Sequence, residues 1–306
     1  MITASRRASA VLIVNPYAGR LSPASREQVI EALRARFRLE GFSTTARGAA
    51  IAIAREAADS GAEMVIAFGG DGHVNEVANG LAGTGCQLGI VPGGTMNVFS
   101  RALGLPLDPF DAVGRLHEQV GAPPRKVSLG RMDERYFTFS AGCGFDAEAA
   151  ELVERDLPAK RRFGEIFFYW SAFRVLATSY RHRAASMTVR GAFGDHAVAM
   201  AIACNAGPYA YLKGRSIHLA PEVRLDGGLD LFALKRMRIE ALPVYAWRCV
   251  VSGDLVHHRD AFYRTGLDTF EIVADEPFHR HVDGEPLPTS SSARFSIEHD
   301  VLSVKA

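Results

Sequence analysis

The sequence predicts an α/β domain built on a parallel sheet, followed by a β-sandwich-rich domain, and three observations carry that expectation. Short apolar runs alternate with helically spaced patterns through the first part of the chain, as they do where helices cover parallel strands. After the G-A-P-P stretch at 121–124 the pattern changes to strand-like runs separated by turn signals. The 306 residues are enough for two units that each bury a core. The expected division is 1–124 and 125–306.

Taken in order, residues 11–14 (V-L-I-V) read as the first strand. Ser22 before Pro23 has the form of an N-cap with proline in the first turn, and Ile30, Leu33 and Phe37 recur at helical spacing, so a helix is expected over 23–37. A second helix is expected over 49–60, stopped by Gly61, and a strand over 64–68. Val74, Val77, Ala78 and Leu81 form one face of the next helix; residues 88–91 form another strand, and Met96, Phe99 and Leu103 mark the helix after it. In the second domain strands are expected at 136–140, 186–190, 197–204, 229–234, 270–274 and 295–304, with Gly194-Asp195 as a hairpin turn. Between the first two of these runs lies K-R-R-F-G-E-I-F-F-Y-W at 160–170, continuing to Y-R-H-R at 180–183. Aromatic residues with basic ends suit a membrane surface, but aromatics on most sides of this helix favour burial against the sheet.

A 48% hydrophobic and 23% charged chain is globular rather than disordered, and a net charge of +1 gives no whole-protein attraction for nucleic acid. Cys86, Cys143, Cys204 and Cys249 lie too far apart for zinc or redox spacings, so reduced thiols are expected. No apolar stretch reaches the ~18 residues of a spanning helix, and the N-terminus lacks the hydrophobic centre of a secretion signal. A cytoplasmic location is expected, and the sequence leaves a homo-oligomer open.

The chemistry concentrates in glycine-rich turns. G-G-D-G-H-V-N-E at 69–76 stands between a strand and a helix, where glycines allow close backbone approach and helix amides attract phosphate oxygens. Asp71 inside this cradle would repel phosphate unless a divalent cation stood between them, which points to a metal-bound nucleotide. P-G-G-T-M-N at 92–97 and N-P-Y-A-G-R at 15–20 leave neighbouring strands at the same edge, the carboxyl ends where open parallel sheets bind ligands. No G-x-G-x-x-G follows the first strand, which disfavours a nicotinamide dehydrogenase. His257-His258 and His279/His281 lack a matching carboxylate or cysteine set, so they read as surface or core histidines rather than metal pairs.

N-P-Y-A-G at 15–19, G-G-D-G-H-V-N-E-V-A-N-G-L at 69–81 and P-G-G-T-M-N-V-F-S-R-A-L-G at 92–104 resemble the diacylglycerol kinase catalytic-domain family, which includes bacterial lipid kinases and sphingosine kinases. The resemblance continues through G-C-G-F-D-A at 142–147, A-P-E-V-R-L-D-G-G-L-D at 220–230 and D-G-E at 283–285. It implies an NAD kinase-like α/β fold joined to a β-sandwich domain, an active site in the cleft between them, and transfer of phosphate from ATP, with Mg²⁺, to the hydroxyl of diacylglycerol or a related lipid at a membrane surface. Carried onto this sequence, the nucleotide contacts are Asn15, Pro16, Tyr17, Ala18 and Gly19; Thr44, with Thr45 able to fill the same place; Gly69, Gly70, Asp71, Gly72, His73, Val74 and Asn75; and Gly94 and Thr95. The family's proton acceptor corresponds to Glu285, with Asp283 and Asp71 as charge organisers. A carboxylate in this role is chemically apt, because an alcohol is a poor nucleophile until its proton is taken.

Taken alone, D-G at 283–284 is an ordinary turn signal. Asp146 in G-F-D-A could orient a lipid headgroup or cap structure. The sequence departs from the family pattern at His73, usually threonine; at Val98, often acidic; and at Gly227, where many bacterial relatives carry the second aspartate of D-D-G for a structural Mg²⁺, so that either Asp226 takes that role or this accessory site is missing. An NAD kinase acting on a soluble acceptor is disfavoured by the N-P-x-x-G loop and the late D-G-E. A catalytically silent, nucleotide-dependent lipid binder is the remaining alternative.

Overall fold

The computed structural model describes residues 8–17, 21–155, 186–212 and 215–306. The chain divides into two compact units, Met1–Ser128 with His299–Ala306 and Leu129–Glu298. The last residues therefore return to the first unit, a feature absent from the contiguous division expected from sequence.

The first unit contains β1 (Ser9–Val14), α1 (Pro23–Arg36), β2 (Arg38–Ser43), α2 (Ala49–Asp59), β3 (Met64–Gly69), α3 (Asp71–Leu81), β4 (Gln87–Pro92), α4 (Val98–Ala102) and α5 (Pro109–Glu118). Its strands are parallel in the order β2-β1-β3-β4, and near the C-terminus Ser303 and Val304 add to β4 opposite Gln87 and Leu88. The expected start of α1 is present: Ser22 accepts the Ser25 amide through its hydroxyl at 3.1 Å, with proline in the first turn. Gly61, at φ 84°, ends α2 in the left-handed region as anticipated. Leu12, Val14, Val29, Leu33, Ile66 and Phe68 pack one face of the sheet into a helix-covered core. Lys305, buried, satisfies its ammonium on the Gln119 and Ala122 carbonyls and so ties down the returning C-terminus.

The strand β5 (Arg125–Met132) leads into the second unit, which continues with β6 (Arg135–Phe137), β7 (Ser140–Gly144), α6 (Phe145–Arg155), β8 (Met187–Arg190), β9 (His196–Val198), β10 (Met200–Cys204), β11 (Ala210–Leu212), β12 (Arg215–Ile217), β13 (Leu229–Leu234), α7 (Leu242–Trp247), β14 (Ala261–Leu267), β15 (Thr269–Val282) and β16 (Glu285–Val304). Here the pairing is antiparallel, running β14-β13-β10-β7-β15-β16. Successive residues of β10 and β13 enter two different cores: Ala201, Ala203, Leu231 and Ala233 join one, Ile202, Cys204, Phe232 and Leu234 the other. Burial on both faces explains why these strands read as continuous apolar runs. Phe270 stacks on Phe295 at 4.6 Å in the first of these cores. Gly194, at φ 92°, makes the expected hairpin between β8 and β9.

The cysteines are unpaired, and burial pushes the Cys86 and Cys249 thiols up to about 11. The aromatic segment at 160–183 lies outside the described residues.

Candidate active site

In the first unit, the carboxyl ends of β1 to β4 bring most of the expected nucleotide residues to one edge. The register pairs Val14 with Ser43 and Phe68, and Gly69 with Pro92, so the segments that follow emerge side by side. Asn15 donates its amide to the Phe68 carbonyl at 3.0 Å, and its side chain accepts the Tyr17 amide at 2.9 Å in a tight turn. Tyr17 is exposed. Ala18 and Gly19 lie outside the described residues.

The two glycine turns after β3 and β4 are packed backbone on backbone. The Gly93 amide donates to the Gly69 carbonyl at 2.8 Å. A Cβ on Gly94 would stand 2.6 Å from Gly70 Cα, and one on Gly70 would stand 3.2 Å from Gly94 Cα. This is a physical reason for glycine at both positions. Asn97, at φ 48°, clamps the second turn: its side-chain oxygen accepts the Gly94 amide at 3.0 Å and its amide donates to the Gly94 carbonyl at 2.9 Å. Asp71, half-exposed, joins the turns by accepting the Phe99 amide from α4 at 3.4 Å. Thr95 is exposed between them.

Helix α3 begins at Asp71, so Gly72 and His73 belong to its first turn, where amides have no acceptor within the helix. Deeper residues are committed elsewhere. The Val74 amide donates to the Gly70 carbonyl at 3.0 Å, and Asn75, fully buried, accepts from the Asn79 side chain at 3.1 Å. Both side chains are buried, Val74 on the apolar face expected of this helix. His73 likewise turns inward, with Nε2 3.0 Å from the Ile13 carbonyl, and burial lowers its pKa against the opposing pull of that bond and of Glu76. It supports β1 from beneath the turn. Thr44 is buried, with its amide and hydroxyl both donating to the Val14 carbonyl, at 2.9 and 3.3 Å; Thr45 beside it is exposed.

In the second unit, D-G-E at 283–285 forms the hairpin between β15 and β16. Asp283 and Gly284 have φ of 47° and 79°, both positive as a two-residue I′ turn requires, and Val282 pairs with Glu285. The Asp283 carboxylate is buried and accepts four hydrogen bonds: from the Thr138 amide and hydroxyl, both at 2.7 Å, and from the Phe139 and Ser140 amides, both at 3.0 Å. These bonds anchor the turn that leads into Glu285. Glu285 is mostly shielded from solvent and pairs with Arg135 at 3.3 Å.

The second unit also holds a group that sequence reasoning did not assemble. His281 Nδ1 accepts the Gly284 amide at 3.3 Å, and Nε2 bonds the Asp146 carboxylate, whose other oxygen accepts the Tyr209 hydroxyl at 2.5 Å. Burial, and then the Asp146 charge, raises the Tyr209 pKa well above its ordinary value. His279, two residues along the same strand, bonds Glu151 at 2.7 Å. Both histidines thus have carboxylate partners on α6. Arg135 and His281 carried no motif, and only their side-chain placement identifies them.

Asp226 is exposed beside the turn in which the Gly227 amide donates to the Arg224 carbonyl at 2.9 Å. Among the described residues no three His, Cys, Asp or Glu side chains converge on a metal-sized site. Among the described residues no helix is long and apolar enough to cross a membrane.

Residues 9–132 match the diacylglycerol kinase catalytic domain, and residues 140–305 match the YegS C-terminal NAD kinase beta sandwich-like domain. The chain is 32% identical over 292 residues to a protein of Chromohalobacter salexigens named as a probable YegS-like lipid kinase, covering 90% of this chain and 86% of that one. It is 29% identical over 283 residues to a diacylglycerol kinase of Bacillus subtilis, covering 90% and 88%. Among solved structures, a diacylglycerol kinase from Bacillus anthracis aligns over 97% of this chain and 96% of its own, with a TM-score of 0.73 and 26% identity.

Proposed function

The chain belongs to the diacylglycerol kinase catalytic-domain family in its YegS-like, two-domain form, and on that premise we propose that it is an ATP-dependent lipid kinase acting on the hydroxyl of diacylglycerol or a related lipid alcohol. The observation that carries this reading is the pair of glycine turns locked together at Gly70 and Gly94, beside the first-turn amides of α3. Side chains there would force the two turns apart and displace the backbone amides offered to phosphate oxygens.

In this reading Asn15 to Gly19, residues 69–73, Gly94 and Thr95 hold the nucleotide, with Thr45 the exposed hydroxyl at the end of β2. Asp71 is the carboxylate with which the turns would hold Mg²⁺, which would neutralise charge on the ATP phosphates. The lipid oxygen bonds to the γ-phosphorus as the bond to the β–γ bridging oxygen breaks and ADP departs. Glu285 takes the hydroxyl proton, and Arg135 holds its carboxylate in place. Asp283 keeps the hairpin rigid beneath it. The acceptor is a membrane lipid, so the protein works peripherally at the inner membrane face.

Incubation with γ-labelled ATP, Mg²⁺ and a total lipid extract, with mass identification of the labelled product, tests both reaction and acceptor. Label in a lipid phosphate monoester supports the reading. Label in NAD, or in no product, refutes it.

A further inference from the structure

Glu285 begins β16 immediately after the Asp283-Gly284 turn, and both residues of that turn are held by buried side-chain chemistry. Asp283 is fixed by the hydroxyl and amides of residues 138–140. Gly284 is fixed by His281, whose Nδ1 accepts its amide. Since Nδ1 is an acceptor there, the imidazole proton sits on Nε2 and is donated to Asp146. Asp146 is fixed in turn by the Tyr209 hydroxyl and by its place in the first turn of α6.

The arrangement has a built space. Gly142 lies against the pair, and a Cβ there would stand 2.6 Å from Asp146 Oδ2 and overlap the His281 ring. His281 and Asp146 are only 2% and 7% exposed. Burying a polar pair in an otherwise apolar sheet costs stability unless every member is satisfied, and such networks confer a single geometry more readily than net stability. The geometry fixed here is that of the turn presenting Glu285.

We propose that His281 is a positioning residue for Glu285: its Nδ1 holds the Gly284 amide, so that the hairpin presents the carboxylate in one orientation, and the bond to Asp146 serves only to orient the ring. The proposal rests on Glu285 being the proton acceptor.

Two substitutions separate the two bonds. In His281→Asn the side-chain oxygen stands near the former Nδ1 and still accepts the Gly284 amide. In His281→Gln the amide group reaches the former Nε2 position, keeping a donor for Asp146 but leaving Gly284 without its acceptor. Steady-state kinetics with ATP and diacylglycerol micelles, beside Glu285→Gln, should show kcat lowered about tenfold or more in His281→Gln with KM for ATP unchanged. His281→Asn should recover most of kcat. Equal activity of the two variants, whether full or reduced, overturns the positioning role. An inactive Glu285→Gln beside a fully active His281→Gln isolates that failure, whereas a fully active Glu285→Gln removes the base and its positioning together. If His281→Gln does not fold, ¹⁵N NMR of the wild-type protein decides: Nε2 should carry the proton and Nδ1 should be bare. A proton on Nδ1 overturns the proposal.

Discussion

Substituting Gly94 by alanine tests the close approach of the two glycine turns. The added Cβ would stand 2.6 Å from Gly70 Cα and 2.8 Å from Asn97 Oδ1. Carbon atoms settle about 3.5–4.0 Å apart, so the turns must separate by roughly 1 Å. Asn97 cannot swing away without giving up its two bonds to Gly94. Overpacking of this kind costs about 1–3 kcal/mol. A comparable displacement of reacting groups can cost about a hundredfold in rate. Gly114, within α5, is the internal control: no atom lies within 4 Å of its added Cβ, so Gly114→Ala should stabilise by about 0.5–1 kcal/mol. Thermal denaturation and calorimetric titration with Mg²⁺·ATP should show Gly94→Ala less stable and at least tenfold weaker in binding. Wild-type melting and wild-type affinity in Gly94→Ala, with Gly114→Ala stabilised as expected, would refute the packing argument.

The remaining expectations follow from single buried groups. Burial holds the His73 pKa below that of the unfolded chain, so the native state lags in taking up a proton as pH falls. Its contribution to stability is complete above about pH 6.5 and is lost below it, at up to about 1.4 kcal/mol per pH unit, until the folded pKa is passed. Urea unfolding at pH 7.5 and 5.5 should therefore show a larger fall for wild type than for His73→Gln; equal falls would count against it. Glu76 accepts the Gly48 and Ala50 amides at 2.8 and 3.1 Å, capping α2, whose own cap is glycine. Glu76→Ala should cost about 2–3 kcal/mol and speed hydrogen exchange at both amides; unchanged exchange would show the cap to be idle. Asp283→Asn puts an NH₂ against N–H or O–H donors, so it should destabilise by about 2–3 kcal/mol in urea unfolding, and a wild-type transition midpoint would contradict the anchoring role.

Much of the first unit was legible because its signals are local. Ser22 with Pro23, Gly61, and the apolar spacing of residues 74–81 each act within one turn of chain, and all appear where expected. β2 was not legible: it is an edge strand, mostly exposed, and R-L-E-G-F-S has no alternation to read. β15 and β16 were expected only in part. Asp275, Glu276 and Pro277 break the apolar pattern of β15 at a register shift, while Pro286 and Pro288 obscure the start of β16. The return of His299–Ala306 to the first unit rests on pairing with β4 more than 200 residues earlier in the chain, which no local signal encodes.

At the candidate site, the motifs located the turns but not the direction of each side chain. His73 and Asn75 share a motif with Gly70 and Asp71, yet the start of α3 at Asp71 sends them into the core. D-G at 283–284 is both the ordinary turn signal and the base of the motif, because the turn is what places Glu285 at the head of β16. Asn97 was visible in sequence, and its left-handed backbone is one that asparagine tolerates better than most residues. The link from Asp146 to His281 spans 135 residues and required coordinates.

The central claim, that nucleotide held by the paired glycine turns is used in a transfer whose proton goes to Glu285, is tested most directly by measuring ATP binding and lipid phosphorylation side by side in wild type and Glu285→Gln. The account predicts wild-type affinity for Mg²⁺·ATP and a loss of turnover of about a hundredfold or more in the variant. Lipid phosphate formed by Glu285→Gln at the wild-type rate would contradict it.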